Sequence, residues 1–492
     1  MRFAKILSVA TLPMFFYACG GDSMHITPPP GDDNPQDQPK DSIPPNIPDS
    51  LLSPITRDFS KVWNGEGTAE NPYQIASEED LSNLSFYVDD SSMSFRDKFF
   101  KQTADIVLKK AWKPIGLWGK NLEGLSKRPF SGSFDGGSKT ITGLSISDTA
   151  SYSGLFGYTL GAHISNVVLK NVNMSVGAYA GSVAGKVDST TIENCTFENV
   201  EISGADRVGG LVGAAAHTKI VGVSGAGTVQ GSSIVGGLVG FAQDGSITDA
   251  SNNSSVTGTS TVGGVVGSFA SVSSEGVISS AFNHGAVVGS KDVGGVIASL
   301  SGSKLEKSGN YGTVTADDNK MSNVGGVVAV ASNKSVLNEV FNVATVTAKK
   351  AMAAGGVVGS LKYSTATNMF NIGEVAGSVY GKTMGGIIGI VDGSDSKLSS
   401  SYNAGKIPNE NYSGAVIGRV SATEDIKDAY FDKTVGAGCL EIADHMLVNV
   451  PSGLSTEDMK AATFIATLNG SGNVWKAGSA AFGGYPVFAW LE

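Results

Sequence analysis

The chain has 492 residues, of which 65 are glycine and only 16% are charged. A chain of this length can bury a large core, and one elongated domain accounts for it. The formal net charge is −10, which argues against a nucleic-acid partner because such partners require basic surface patches.

The N-terminus predicts a secretory signal over residues 1–18. Arg2 and Lys5 precede a short apolar stretch that is well below the about 20 residues needed to span a membrane. Cys19 follows directly, and this arrangement resembles a bacterial lipobox, which implies a lipid-anchored protein with Cys19 as its lipidated first residue. By the same resemblance, Gly20 in place of aspartate implies the outer membrane or cell surface. The alternative is an ordinary cleaved signal followed by an incidental cysteine.

Residues 19–55 predict a disordered tether. They are rich in proline, aspartate, asparagine and glutamine and have almost no apolar side chains, so they cannot bury enough surface to order themselves. Residues 56–150 follow as an N-terminal cap with irregular first turns. Within them Ser77 begins a helix signature, and Leu81, Leu84 and Val88 fall on one face of that helix.

A repeat organises residues 151–422. A small residue closes each copy of a motif such as Val-Gly-Gly-Leu-Val-Gly, at intervals of 27 to 31 residues. These markers are Gly157, Gly185, Gly213, Gly240, Gly267, Ala298, Ala329, Gly359, Gly389 and Gly418. About ten copies at a nearly fixed period indicate a repeat architecture. We expect the glycines to act as structural residues at a corner where the backbone takes a positive φ.

Each copy contains three short runs rich in valine and isoleucine, separated by turn residues, which predicts strands. A single copy cannot bury its apolar face, so equivalent residues such as Ile192, Ile220 and Ile247 should stack into one shared core. The sequence therefore predicts an all-β protein, a parallel β-helix of about ten regular turns. The adjacent apolar pair Leu211 and Val212 is not explained, because neighbours on a strand face opposite sides.

Residues 423–492 predict a C-terminal cap. A short helix begins at Ser455, runs toward Leu468 and stops near Gly470, and a final strand follows before Trp490. All five tryptophans lie outside the regular repeats. This distribution favours capping of the two ends over an aromatic sugar-binding platform along the flank.

Several segments together carry a family resemblance. Residues 63–68, 72–75, 112–116 and 131–144 resemble the N-terminal region of bacterial GLUG-motif surface proteins, and Gly-Gly-Leu-Val-Gly is similar to the GLUG motif itself. The resemblance covers about residues 60–490 and implies a right-handed β-helix with an adhesin-like role. GLUG repeats also occur beside peptidase domains, but this sequence has no His-Glu-x-x-His zinc motif.

A column of asparagines recurs in the later repeats. Its members are Asn252, Asn283, Asn310, Asn342, Asn371 and Asn403. Stacked asparagines could present a polar face to glycans. We favour instead an internal ladder that satisfies backbone groups at a corner.

Other candidate sites are weaker. Residues 376–383 end in Gly-Lys-Thr but lack the first glycine of a phosphate loop, so a repeat linker is favoured. Asp317 opens an acidic loop with Asp318 and Asn319, and we favour a solvated loop over a calcium site. The histidines at 163, 217, 284 and 445 fall in different turns without shared spacing, and His284 should be an exposed turn residue. We therefore predict no catalytic residue, metal or cofactor.

The two remaining cysteines should not pair. Cys195 occupies a column that elsewhere holds valine and alanine, so it should be a small buried hydrophobe. Cys439 lies about eight turns away, roughly 38 Å at strand spacing, whereas a disulfide needs Cα atoms within about 7 Å.

Two functional hypotheses follow. The first is a monomeric, non-catalytic surface lipoprotein, an adhesin or scaffold that binds a glycan or an extracellular protein. The second is a polysaccharide lyase or glycoside hydrolase, which rests on fold-level analogy. An enzyme should show acidic and basic groups together on adjacent turns of one face. In the aligned repeats Lys219, Asp249, Lys304 and Glu339 do not converge on one turn.

Overall fold

The structure is a computed structural model. It describes residues 58–89, 91, 93–121, 124–147, 151–272, 276–317, 322–379, 383–408, 413–421, 425–435, 440–444 and 451–491. The predicted signal, the lipidation site Cys19 and the tether lie outside the described residues.

Parallel strands stack into a β-solenoid of about 12 turns, which confirms the predicted all-β parallel β-helix. Among the described residues, 43 strands form one sheet system that winds through the turns, with strands pairing in parallel with their equivalents one turn later. Ile192, Ile220 and Ile247 pair directly in register, as the repeat requires. Elsewhere in the described part of the chain, Leu117–Asn121 pairs with Gly124–Arg128, and Trp475–Lys476 pairs with Val487–Phe488, both antiparallel.

The strands of the N-terminal region, β1 to β8, are Tyr73–Ile75, Phe99–Gln102, Ile106–Val107, Leu117–Asn121, Gly124–Arg128, Ser133–Asp135, Thr140–Thr142 and Ser145–Ser147. Strands β9 to β22 are Phe156–Leu160, His163–Ser165, Val168–Ser175, Ala178–Ala180, Ala184–Asp188, Thr191–Glu193, Thr196–Gly204, Asp206–Gly209, Val212–Gly231, Ile234–Gly236, Val239–Asn252, Ser255–Gly258, Thr261–Gly263 and Val266–Ala270.

Strands β23 to β36 are Gly276–Asn283, Val287–Gly289, Asp292–Gly294, Ile297–Ser301, Ser303–Asn310, Val314–Ala316, Asn323–Gly325, Val328–Ser332, Val336–Asn342, Val346–Ala351, Ala353–Gly355, Val358–Lys362, Thr365–Asn371 and Val375–Val379. Strands β37 to β47 are Met384–Gly385, Ile388–Asp392, Lys397–Ser399, Ser401–Asn403, Ser413–Val420, Asp425–Ile426, Ala429–Asp432, Leu440–Asp444, Ser452–Leu454, Trp475–Lys476 and Val487–Phe488.

The glycine pairs explain the adjacent apolar residues. Gly209 ends β16 and Val212 begins β17, so Gly210 and Leu211 form a bend between two strands. Leu211 and Val212 are both fully buried because this bend turns both side chains toward the core. The same bend recurs in later turns, where it buries pairs such as Leu238 and Val239.

The predicted role of the marker glycines was wrong in its mechanism. None of the eight has a positive φ, so they do not form a left-handed corner. They are small because the backbone of another strand approaches closely. A Cβ on Gly213 would lie 2.6 Å from the Gly185 carbonyl oxygen and 2.6 Å from the Tyr179 carbonyl carbon. This approach lets the two strands of each bend pack directly against one another.

Corners with a positive φ occur elsewhere in the turns, and most of them are occupied by residues other than glycine. One corner per turn, two residues after the repeated isoleucine, is formed by Asn194, Asp249, Ser280 and their equivalents, with φ of 53°, 52° and 53°. Asparagine and aspartate tolerate this conformation better than most side chains because their short polar groups bond to nearby backbone.

The N-terminal region contains helix α1, Glu78–Asp89. Leu81, Leu84 and Val88 are buried on one face, as predicted. The backbone N–H of Asp80 donates to the Ser77 hydroxyl (3.2 Å), which caps the helix start.

The C-terminal segment, residues 452–491, packs against the side of the solenoid. It contains β45, helices α2 (Thr456–Lys460) and α3 (Ala462–Asn469), the 3₁₀ turn Ala480–Phe482, and β46 and β47. The sequence predicts one helix in this segment, whereas the structure has two, because Ala461 between them takes an extended backbone with ψ of 150°. The described residues contain no helix with the length and hydropathy to cross a bilayer.

A column of outward rings receives this segment. Phe341, Phe370 and Tyr402 stack on successive turns at centroid separations of 5.0 and 5.6 Å. Trp475 and Phe488 cover the column, and all five rings are buried. The two C-terminal tryptophans therefore lie on the flank of the solenoid, where Trp475 is structural and Trp490 contacts Phe282.

Candidate binding groove on the first turns

The first turns place polar side chains in two outward columns. Strands β1, β2, β6, β10 and β14 stack in parallel. One column, in register, is Phe99, Ser133, His163, Thr191 and Lys219. The neighbouring column is Gln74, Lys101, Asp135, Ser165 and Glu193. We call these two columns the polar face.

Buried side chains of the same strands hold the polar face in place. Between the two columns, Tyr73, Phe100, Phe134, Ile164 and Ile192 point inward in register and are buried. Successive residues of a strand face opposite sides, so a rigid inner column fixes the outer ones. The polar side chains are thereby spaced at about 4.8 Å along the solenoid axis.

A groove of about 550 Å³ lies over the first four of these strands, and Gln74 of β1 is part of its lining. The loop that precedes β1, with Glu70, Asn71 and Pro72, contributes to its lining. Strand residues from β2, β6 and β10 line the remainder, among them Lys101, Asp135, Ser165 and His163. Beyond the groove, Glu193 and Lys219 continue the polar face.

Asp135 is fixed by three neighbouring groups. Its Oδ1 accepts hydrogen bonds from Asn166 Nδ2 and from the Gly137 backbone N–H, both at 2.9 Å. Its Oδ2 lies 3.4 Å from Lys101 Nζ. Partial burial acts to raise the pKa of Asp135, but these hydrogen bonds and the lysine charge outweigh it, so the pKa lies below its ordinary value.

The Glu193 side chain bridges His163 and Lys219, which lie on the turns on either side of it. Its Oε2 lies 3.4 Å from His163 Nε2, and its Oε1 lies 3.4 Å from Lys219 Nζ. Slight burial acts to raise the pKa of Glu193, but the hydrogen bonds and charges of His163 and Lys219 outweigh it. Both carboxylates of the polar face are therefore ionised at neutral pH.

These ionised carboxylates determine what the polar face can do. A general acid at neutral pH needs a carboxyl group whose pKa is raised, and here both are lowered. Hydrogen-bond donors and acceptors nevertheless occur along both columns, since lysine, amide, hydroxyl and carboxylate groups are all present. This arrangement suits a ligand with many hydroxyl groups.

The histidines occupy separate places, as the sequence suggested. His163 pairs with Glu193 on the polar face. His217 lies between Asp188 (3.5 Å) and Asp244 (3.7 Å) at another corner. His284 is an exposed turn residue, as predicted, with its ring stacked on Tyr311 at 4.8 Å. His445 lies outside the described residues.

The asparagine column is internal, which confirms the interpretation we favoured. All six side chains are buried. Each Nδ2 from Asn252 to Asn371 donates to the Oδ1 of the next asparagine at 2.8–2.9 Å. Each also donates to the backbone carbonyl two residues later, for example from Asn310 to Gly312 at 2.7 Å. The ladder faces the glycine bends and offers no surface to a ligand.

Two other sequence candidates are only partly described. Ala376 to Val379 belong to strand β36, while residues 380–382 of the Gly-Lys-Thr segment lie outside the described residues. Asp317 lies 3.7 Å from Lys349, whereas Asp318 and Asn319 are not among the described residues. In the part of the chain that the structure describes, no three His, Cys, Asp or Glu side chains are grouped to hold a metal ion.

Cys195 is a buried free thiol, as its column predicted. Burial raises the pKa of this thiol to about 12. Cys439 lies outside the described residues.

The sequence did not reveal the polar face. We noted that Lys219 and other charged residues did not converge on one turn, yet Lys219 shares Glu193 with His163. The available signal was the pair of residues that flank the repeated apolar position, such as His163 and Ser165 around Ile164. It was missed because these flanking residues differ from turn to turn.

The fold defines a β-solenoid protein of stacked parallel turns, and no family model matches the sequence. The chain is 33% identical over 180 residues to halomucin of Haloquadratum walsbyi, a match that covers 34% of this chain and 2% of that protein.

Two solved structures match the chain at TM-scores below 0.5. A putative immunoglobulin A1 protease from Bacteroides ovatus has a TM-score of 0.32 and 16% identity, covering 87% of this chain and 95% of that one. A structure titled IgA1 Protease has a TM-score of 0.30 and 13% identity, covering 68% of this chain and 22% of that chain.

Proposed function

We propose that this protein is a non-catalytic surface lipoprotein, an adhesin or scaffold that binds a glycan along its polar face. The observation that carries the proposal is the register of two outward polar columns over a groove of about 550 Å³. Repeated donors and acceptors at strand spacing match a polymer that repeats its hydroxyl groups. Membrane attachment through Cys19 and an outer-membrane location belong to the same proposal and rest on the lipobox and GLUG resemblances.

An extracellular protein is the other ligand compatible with a surface scaffold. The polar face favours the glycan, because all its members except Phe99 are hydrophilic and because they are evenly spaced along the axis. Protein interfaces instead concentrate buried aromatic anchors at their centre.

A polysaccharide-degrading enzyme is the second candidate. One observation favours it: Asp135, His163 and Glu193 lie on three successive turns of one face. The low pKa values of both carboxylates weigh against it, because neither can act as a proton donor at neutral pH. Incubating the purified protein with acidic and neutral polysaccharides, followed by reducing-end and unsaturated-product assays, separates the two candidates. Turnover would overturn the non-catalytic proposal.

Binding is tested with two matched lysines. Lys101 and Lys397 are both exposed on the same outer face of the solenoid, but only Lys101 lines the groove. We expect Lys101→Ala to weaken glycan binding about 10-fold, which corresponds to losing one charge-assisted hydrogen bond. Lys397→Ala should leave binding unchanged. Equal effects from the two variants, or no binding to a glycan array by the unmodified protein, would contradict the proposal.

A further inference from the structure

The charges of the polar face are compensated within the protein. Lys101 is paired with Asp135, and His163 and Lys219 share Glu193. Both lysines and the His163 imidazole thus have a carboxylate partner at 3.4 Å, and each of the two carboxylates pairs with a lysine. Such a surface presents polar atoms with little net charge.

We propose that the groove selects an uncharged, hydroxyl-rich glycan and holds it along the solenoid axis, with successive sugar residues on successive turns. This inference rests on the proposed function and specifies its ligand class.

A polyanionic glycan is disfavoured because the protein does not release its cations. An acidic sugar that approached Lys101 would also approach Asp135, whose negative charge repels it and which Asn166 and the Gly137 backbone hold in place. Glu70 on the lining of the groove adds a further negative charge. Recognition of polyanions elsewhere uses lysine and arginine side chains that lack such partners.

A polycationic glycan is disfavoured for the same reason with the charges reversed: the carboxylates already have partners. Glu193 accepts from His163 and Lys219 with separate oxygens, so an incoming ammonium group would compete with two existing contacts. An uncharged sugar has no such competition. Its hydroxyl groups can use the remaining donors of the lysines and the remaining lone pairs of the carboxylates without breaking an ion pair.

The direction of the ligand follows from the register. Equivalent polar residues repeat along the axis at about 4.8 Å, which is close to the length of one sugar residue in an extended chain. Across a single strand the polar face is only two outward residues wide, for example Thr191 and Glu193 on either side of the buried Ile192. A chain laid along the axis therefore meets many more polar groups than one laid across it.

Calorimetric titration with defined polysaccharides tests the ligand class. The probes are dextran and xylan as neutral chains, alginate and hyaluronan as polyanions, and chitosan as a polycation. We expect a neutral chain to bind, with an affinity that changes less than about 2-fold between low and high salt, because no net charge is neutralised. Tighter binding of a charged chain would overturn the inference and leave the proposed glycan binding intact. Failure of every glycan to bind would overturn the proposed function itself.

Charge-release variants provide a second test. Glu193→Gln leaves His163 and Lys219 without their carboxylate, and Asp135→Asn does the same to Lys101. Each should gain at least about 10-fold in affinity for alginate, with a steep salt dependence. Asp392→Asn, which frees Lys362 on a different strand of the turn, is the matched control and should gain nothing. Glu193 has only side-chain partners, so its variant tests the inference even if Asp135→Asn does not fold. No gain in folded Glu193→Gln would contradict it.

Discussion

The side-chain amide of Asn283 donates to the side-chain carbonyl of Asn310 at 2.8 Å, one full turn later in the chain. Asn310 repeats the contact toward Asn342 at the same distance. Every member of the ladder is buried, so each amide is satisfied only by its neighbours and by backbone two residues away.

We predict that Asn310→Ala destabilises the protein by about 2–4 kcal/mol. The substitution leaves the Gly312 carbonyl, the Gly312 N–H and the amide of Asn283 each short of a partner in the interior. Asn253→Ala is the control, because Asn253 is exposed beside a ladder residue. Urea unfolding followed by circular dichroism measures both variants, and similar midpoints would contradict an energetic role for the ladder.

The glycines in and next to the bends should differ sharply in how well they tolerate substitution by alanine. A Cβ on Gly294 would lie 1.9 Å from the Ile297 carbonyl oxygen, within its own bend. We expect Gly294→Ala to cost at least about 3 kcal/mol, because backbone must move. Gly359→Ala should cost about 1 kcal/mol, since alanine already occupies the equivalent place at Ala298 and Ala329. Thermal melting of the two variants decides this, and equal losses would refute it.

The C-terminal segment should detach when its central ring is removed. Phe488 is fully buried against Phe370 and Trp475, so Phe488→Ala removes about 3–5 kcal/mol of packing. We expect protease cleavage within residues 452–491 while the solenoid stays folded. Phe86→Ala, at a ring that is 51% exposed, is the control and should leave the segment protected.

Acid should weaken the polar face in a defined pH window. Asp135 and Glu193 have folded-state pKa values below their ordinary values of 3.8 and 4.5. A lowered folded-state pKa gives stability that is present above the ordinary value and lost as the pH falls through the lowered one. The melting temperature should therefore fall as the pH drops below about 4. The Asp135→Asn/Glu193→Gln double variant should lose less over the same range, and an identical pH profile would contradict this assignment.

Cys195 should resist thiol reagents in the folded protein. Burial keeps the thiol protonated up to a pKa of about 12, and the thiolate is the reactive form. Alkylation at mildly alkaline pH, read by peptide mass spectrometry, should modify Cys195 only in denaturant. Rapid modification under native conditions would show that the column containing Ile192 and Cys195 opens readily.

The sequence predicted those parts of the fold that recur. Ile192, Ile220 and Ile247 share a column because every turn must bury the same position, and a period reveals such positions directly. The φ of Gly213 could not be inferred this way, since glycine serves close approach as well as positive φ.

The polar face and the covered flank were harder to predict because they depend on residues that do not recur. The contact between Glu193 and Lys219 joins positions 26 residues apart, and only the exact register brings them together. Tyr402 donates to the Pro486 carbonyl across 84 residues, a contact that no local pattern contains.

The contacts of the asparagine ladder are the same from turn to turn, and this determines how such a chain can lengthen or shorten. Asn283, Asn310 and Asn342 have interchangeable surroundings, although 27 residues separate the first two and 32 the next two. Deleting one complete coil would bring Asn283 against Asn342 with the same partners, whereas deleting one residue within a strand would offset every contact beyond it. This architecture therefore tolerates duplication or loss of whole units, and it tolerates length changes in the loops between strands, as the separations of 27 and 32 residues show.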